Sequence, residues 1–365
     1  MAGGRRWLAG RRGGARAASR QGQQLTVPRG RTAPGLRPAP LILAITAAQA
    51  GALAGIALAG VPAVTGISGP GAAVTAGVPV ARALLAVAAI ATVGLSLLPL
   101  MLRRERASRT EPVLDLARRA AVVTAACWAL AATVVLALQA AELHGSDIPS
   151  PTEVRRYATE VPSGTALLIV VALATAHAAL GVLAVRSGER VPAEVRTGLA
   201  LFALLPVPVT GHAATWTRHE YLLVAIELHV LAATVWAGGL GAIVTLLATR
   251  RTLLAGALPR FSVLATACLA VTALTGVLSA FAELSEHPTM DLAEGVFGTG
   301  YGHLLLAKTV CLLGIALVGA RLRTALLPRI ARHSRTAFTG WASLELALMA
   351  VAFGLAAVLS RTPLG

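Results

Sequence analysis

A chain of 365 residues that is 56% hydrophobic, with a mean hydropathy of +0.73, cannot be written as a solvent-facing domain. Its net charge of +16 is not a nucleic-acid surface either, because the arginines gather in short gaps between long apolar runs. There they act as topology signals and lipid-headgroup contacts.

Residues 1–38 hold nine arginines, from Arg5 to Arg37, among Gly, Ala and Gln, with no continuous apolar core before residue 41. The composition predicts a disordered basic cytoplasmic tail rather than a cleavable secretory signal. Nine apolar runs follow and predict membrane-crossing helices over 40–60, 79–101, 119–141, 163–185, 196–211, 221–248, 261–282, 303–320 and 340–360. About 20 apolar residues are enough to cross the hydrocarbon layer as a helix. The fifth run is the shortest and ends in Pro206 and Pro208, which predicts a kink or partial unwinding there. The expected fold is all-α, a polytopic transmembrane bundle of about nine spans, in contact with the lipid bilayer throughout. Its expected parts are the tail, membrane helices over 39–194 and a membrane core over 195–363.

Orientation follows from the basic residues. The tail and alternate gaps (Arg103 to Arg119, Arg186 to Arg196, Arg250 to Arg260, Arg321 to Arg335) hold 26 of the 32 basic residues. Positive residues stay cytoplasmic, so the N-terminus is expected inside and the C-terminus outside, with an odd number of spans.

The opposite gaps are acidic: Glu142, Asp147, Glu153 and Glu160 in one, and Glu283, Glu286, Asp291 and Glu294 in another. Five of the eight histidines (His144, His212, His219, His287 and His303) lie on the same side, which gives a mouth rich in imidazole and carboxylate. That donor set suits divalent copper, zinc or nickel. Acidic loops and solvated histidines that merely complete the charge asymmetry are the plainer alternative. The sharpest cluster is TGHAATWTRHE at 210–220. A short connector brings His212 and His219 together, with Glu220 beside them. His229, ten residues on, falls on roughly the same side of the sixth span, deeper in the membrane. An ionisable group at such depth costs on the order of 2.5–3.5 kcal/mol for the charged types, which makes it a functional candidate. The bland alternative is a neutral ring bonded to a neighbouring helix. His303 and His177 are weaker ligand candidates. Glu227, Lys308 and Glu345 read as structural intramembrane charges, with Glu227 and Lys308 as a pair, and Trp236 with Gly238, Gly239 and Gly241 as packing. Cys127, Cys268 and Cys311 fall inside spans without a CxxC, which argues against redox chemistry and a thiolate metal site.

The stretches TGHAA at 210–214, LHVLAATVWAGGL at 228–240, RFSVLATACLAVTALTGVLSA at 260–280, GTGYGHLLLAK at 298–308 and ELALMAVAFGLAAVLSRTP at 345–363 occur in order on successive spans. Together they resemble the copper resistance protein D (CopD) family of bacterial membrane proteins, and in particular the CopD part of actinobacterial CopD/CtaG-type proteins. The likeness is close over about 195–363 and looser before it. The chain departs from the usual pattern at Ser279, His303 and Leu322. The resemblance implies copper handling at the plasma (inner) membrane: uptake of copper ion as cargo, with a CopC-like extracytoplasmic copper-binding partner. Two alternatives stay open, a factor presenting copper to a respiratory oxidase and a membrane haem b protein ligated by His177 and His229. No nucleophile with an adjacent base occurs in any motif, so an enzyme is not expected.

Overall fold

A computed structural model describes residues 38–60, 71–187, 190–211, 219–285, 291–326 and 337–362, with backbone alone at 219–221. The basic tail, His212 and Glu286 lie outside the described residues, as do the side chains of His219 and Glu220.

Eleven α-helices are described: α1 (Pro38–Ala59), α2 (Ala72–Leu102), α3 (Ala107–His144), α4 (Pro151–Glu160), α5 (Pro162–Ser187), α6 (Ala193–Phe202), α7 (His219–Ala242), α8 (Arg251–Ser285), α9 (Leu292–Phe297), α10 (Gly300–Arg321) and α11 (Phe338–Leu359). Among the described residues nine helical segments are long and apolar enough to cross a membrane, one for each run read from the sequence. The chain is therefore a polytopic helical membrane protein.

Several helices outrun the hydrocarbon. α3 has 38 residues and α8 has 35, and at 1.5 Å per residue each exceeds 50 Å, so their charged first turns project from the apolar layer. Arg118 and Arg196, read as gap residues, are inside α3 and α6 and are buried. Arg118 is held by Glu111 and Asp115 of its own helix. α2 begins at Ala72, seven residues before the expected start, and keeps Pro79 and Pro99 within it. The fifth span breaks as its prolines predict: α6 ends at Phe202 and a 3₁₀ turn covers Val207–Thr210. The acidic gap after α3 contains α4, whose Ser150 and Glu153 form a reciprocal capping box. The Ser150 backbone amide and hydroxyl hold the Glu153 carboxyl below its ordinary range.

Packing relies on small residues, as in membranes, where close van der Waals approach replaces the hydrophobic drive between helices. α2 crosses α7 where Gly94 meets Gly238; a Cβ on Gly94 would sit inside the Gly238 carbonyl. Gly51 of α1 and Gly354 of α11 make a similar crossing. α2 also packs along α3, and α3 along α5. Beyond α7, α8 packs chiefly on α7, while α10 packs on α11.

The ends of the bundle differ. At the acidic end, Arg82 of α2 donates to the Thr210 carbonyl at 3.2 Å and to Ser360 Oγ at 3.3 Å. Arg361, just past α11, donates to Glu142 Oε2 of α3 at 2.6 Å. Gln139 and Tyr157 bond at 3.2 Å, and Tyr157 reaches Ser163 Oγ at 2.7 Å. This cluster ties the last helix to α2, α3 and the 3₁₀ turn two residues before His212.

Candidate functional site

Gly238 faces α2, and His229 lies nine residues earlier on α7, two and a half turns away and so on the opposite side. His229 therefore points to α8. Its Nδ1 is 3.1 Å from Thr275 Oγ1, and the ring also lies against the Thr272 backbone. The Thr275 hydroxyl has one proton, and its shortest bond, 2.6 Å, is to the Val271 carbonyl. Thr275 then accepts from His229 Nδ1–H, which places the imidazole lone pair on Nε2. Among the described residues none donates a hydrogen bond to Nε2. A ring oriented through Nδ1 with Nε2 open is the usual state of a metal-ligating histidine. Gly276 makes room for it: a Cβ there would come within 3.3 Å of Cε1.

Thr275 belongs to a stripe. Cys268, Thr272, Thr275, Ser279 and Glu283 recur every three or four residues of α8 and fall on one face. Cys268, Thr272, Thr275 and Glu283 are buried, and Thr272 Oγ1 and Ser279 Oγ are enclosed without a hydrogen-bond partner. The remaining α8 faces carry exposed Val263, Leu274, Val277 and Phe281, the lipid side. Glu283 was expected in a solvated loop; it lies in the last turn and a half of α8 at 5% exposure, within electrostatic reach of Tyr301 of α10. Across from the stripe stands Lys308 of α10, close enough for its charge to act on His229. Glu227 and Lys308 form no ion pair. At the arginine-rich end Glu345 of α11 is buried at 4% exposure beside the indole of Trp236. Trp236 follows His229 by seven residues and so shares its side of α7.

The remaining candidates lie apart. His303 is exposed and its Nε2 donates to the Phe297 carbonyl at 2.9 Å. His177 is fully buried in the N-terminal helices, with Nε2 3.1 Å from Ser96 Oγ of α2. Since His229 points away from α2, the body of α7 stands between the two rings, and they cannot ligate one iron from opposite faces. Among the described residues no three His, Cys, Asp or Glu side chains converge on one point.

Two family models match the chain: Copper resistance protein D over residues 255–359, and Copper resistance protein D-like, N-terminal domain over residues 72–220. The chain belongs to the copper resistance protein D family. Its function is accordingly a copper-related one in a membrane. The CopD match takes in the α8 stripe, Lys308 and Glu345, and the N-terminal match takes in His177, His212 and His219, while His229 falls between the two. No curated protein and no solved structure matches the chain.

The α8 stripe and the Trp236–Glu345 contact are the features that reading the sequence missed. The stripe had a signal: five small polar or acidic residues at helical spacing in an otherwise aliphatic span.

Proposed function

We propose that this protein carries copper ion inward across the plasma membrane, with its arginine-rich end in the cytoplasm. The observation that supports this most directly is His229, turned by Thr275 so that Nε2 is open inside a membrane-embedded polar stripe. Copper enters at the acidic mouth, where His212 and His219 form the entry ligands with Glu220 beside them. A CopC-like extracytoplasmic protein delivers it there. His229 is the next station, and the Thr272, Ser279 and Cys268 side chains line the way on either side of it. Exchange between successive nitrogen ligands suits a transported ion, which must bind well enough to enter and weakly enough to leave. The protein acts as a carrier rather than an enzyme.

The test is copper uptake by cells making His229→Ala, beside copper binding to the purified variant. Binding at the mouth is expected to persist while uptake falls to the background of cells lacking the protein. Uptake at the normal rate would make His229 a packing residue and remove the route.

A further inference from the structure

Two π-helical turns, Ile243–Leu247 after α7 and Leu322–Leu326 after α10, both pack against α11. Such turns interrupt the regular ladder and gather at functional positions. Beside the second of these turns lies a pocket of about 30 Å³, room enough for a water molecule. Its walls are apolar, from Leu240 of α7, Phe261 and Ala265 of α8 and Phe338 of α11. Among the described residues its ionisable groups are Glu345 and Arg323. The Glu345 carboxylate is buried, seven residues or about 10 Å into α11 from the arginine-rich end. Trp236 Nε1, itself buried, lies beside it as the nearest donor, just outside strict hydrogen-bond geometry. Arg323 is within electrostatic reach yet closes no ion pair. Gly319 is the α10 residue opposite, and a Cβ there would touch Glu345 Oε1 at 3.4 Å.

We propose that Glu345 is a proton-binding site that couples copper movement to proton movement; this rests on the transport reading above. The pocket does not suit copper itself. One carboxylate facing a guanidinium, with no imidazole or thiol beside it among the described residues, is a poor ligand set and repels a second cation. A proton needs only the carboxylate. The carboxylate has a setting on either side of the transfer: the neutral acid in an apolar pocket, with half-buried Arg323 at the basic end of the bundle, or the carboxylate facing Arg323 with the Trp236 N–H as donor. An unbalanced charge at this depth would be costly. In the step, Glu345 carboxylic acid gives its proton to water in the pocket and becomes the carboxylate; rebinding reverses it, and no electron moves. Among the described residues the other ionisable groups on elements packed against α11 stand apart. Arg321 is exposed at the end of α10, Cys311 and Lys308 lie two to three turns before Gly319 on α10, and His229 is two turns from Trp236. Trp236 lies on the same side of α7 as the copper station, two turns nearer the proton site.

The experiment reconstitutes the purified full chain into sealed phosphatidylethanolamine–phosphatidylglycerol vesicles with a pH-sensitive dye inside, and adds copper outside. The wild type is expected to change the lumen pH as copper enters, and its copper flux to respond to an imposed pH gradient. Glu345→Gln is expected to lose at least tenfold of the proton signal and all response to the gradient, while Glu345→Asp keeps part of both. Wild-type copper flux at constant lumen pH would overturn the proton site and leave the transport reading standing, as would an unchanged proton signal in Glu345→Gln. No wild-type copper flux would overturn transport, and coupling with it. Should Glu345→Gln fail to fold, infrared difference spectra of the wild type across neutral pH decide: a carboxylic-acid band that titrates and shifts in Glu345→Asp is expected, and its absence rejects the proposal.

Discussion

Thr275 fixes His229 in one tautomer. Its hydroxyl spends its proton on the Val271 carbonyl at 2.6 Å and accepts from His229 Nδ1 at 3.1 Å, so the neutral ring cannot move its proton to Nε2 without breaking the second of these bonds. A threonine that serves its own helix thereby sets the chemistry of a histidine on the next one. The arrangement needs no charged partner, which suits a site inside hydrocarbon, where a second carboxylate would have to be balanced in turn.

Removing the hydroxyl while keeping the shape should expose this role. Thr275→Val is expected to lower copper uptake about tenfold, the lower end of the effect seen when a ligand's outer partner is lost. Yield and helical content should be unchanged, and Thr275→Ser should restore most of the rate. Uptake in cells, with the purified variants compared by circular dichroism, checks it. An undiminished rate in Thr275→Val would mean that the tautomer does not matter.

Gly276 gives an independent handle on the same ring. In Gly276→Ala the new methyl would stand 3.3 Å from His229 Cε1 and 3.6 Å from Nδ1, close enough to turn the imidazole away from Thr275. Gly198→Ala is the control, because nothing lies within 4 Å of a Cβ there. Alanine favours a helix over glycine by up to about 1 kcal/mol, so Gly198→Ala should not melt earlier than the wild type. Transport should fall several-fold in Gly276→Ala alone, measured as initial rates of copper uptake.

The nine spans were legible because crossing a membrane imposes one rule, a long apolar run, and each run obeys it without help from its neighbours. The break after α6 was legible for the same reason, since Pro206 and Pro208 act locally. What the sequence hid depends on which faces meet. Glu283 looks like one more acid in an acidic gap until α8 is seen to run to Ser285 and turn that residue inward. Arg82 and Arg361 look like exceptions to the charge bias, but they are partners of Glu142, Thr210 and Ser360 across three chain segments. The expected ion pair of Glu227 with Lys308 was inferred from depth alone, and depth does not fix the direction in which a side chain leaves its helix. Glu345 and Trp236 are more than a hundred residues apart, and only the packing of α11 near the end of α7 brings them together.

The cluster at the acidic end should be worth measurable stability. Arg361 and Glu142 are each about 30% exposed, so screening by water limits their attraction, and the 2.6 Å bond is credited with about 1 kcal/mol. Glu142→Gln also leaves Arg82 and Arg361 facing each other without the carboxylate between them. Melting in detergent should therefore move to lower temperature, by more at low salt than at high salt, because added ions screen the remaining repulsion. A melting temperature that does not depend on salt would show that the two arginines are not electrically coupled.

Orientation is the prediction on which the direction of transport depends. The tail and alternate gaps hold 26 of the 32 basic residues, and the positive-inside bias then places the N-terminus in the cytoplasm and, after nine spans, the C-terminus outside. Of the six basic residues elsewhere, Arg82 and Arg361 are bound into the polar cluster, and Lys308 sits within α10. They therefore carry little weight in the count. Alkaline phosphatase fused after Gly365 should be active, since it folds only outside the cytoplasm, and a fluorescent protein fused before Met1 should light up inside. The reverse pattern in both fusions would turn the bundle over. It would place the acidic mouth in the cytoplasm and convert the proposed uptake into export, with Glu345 then exchanging its proton on the outer side.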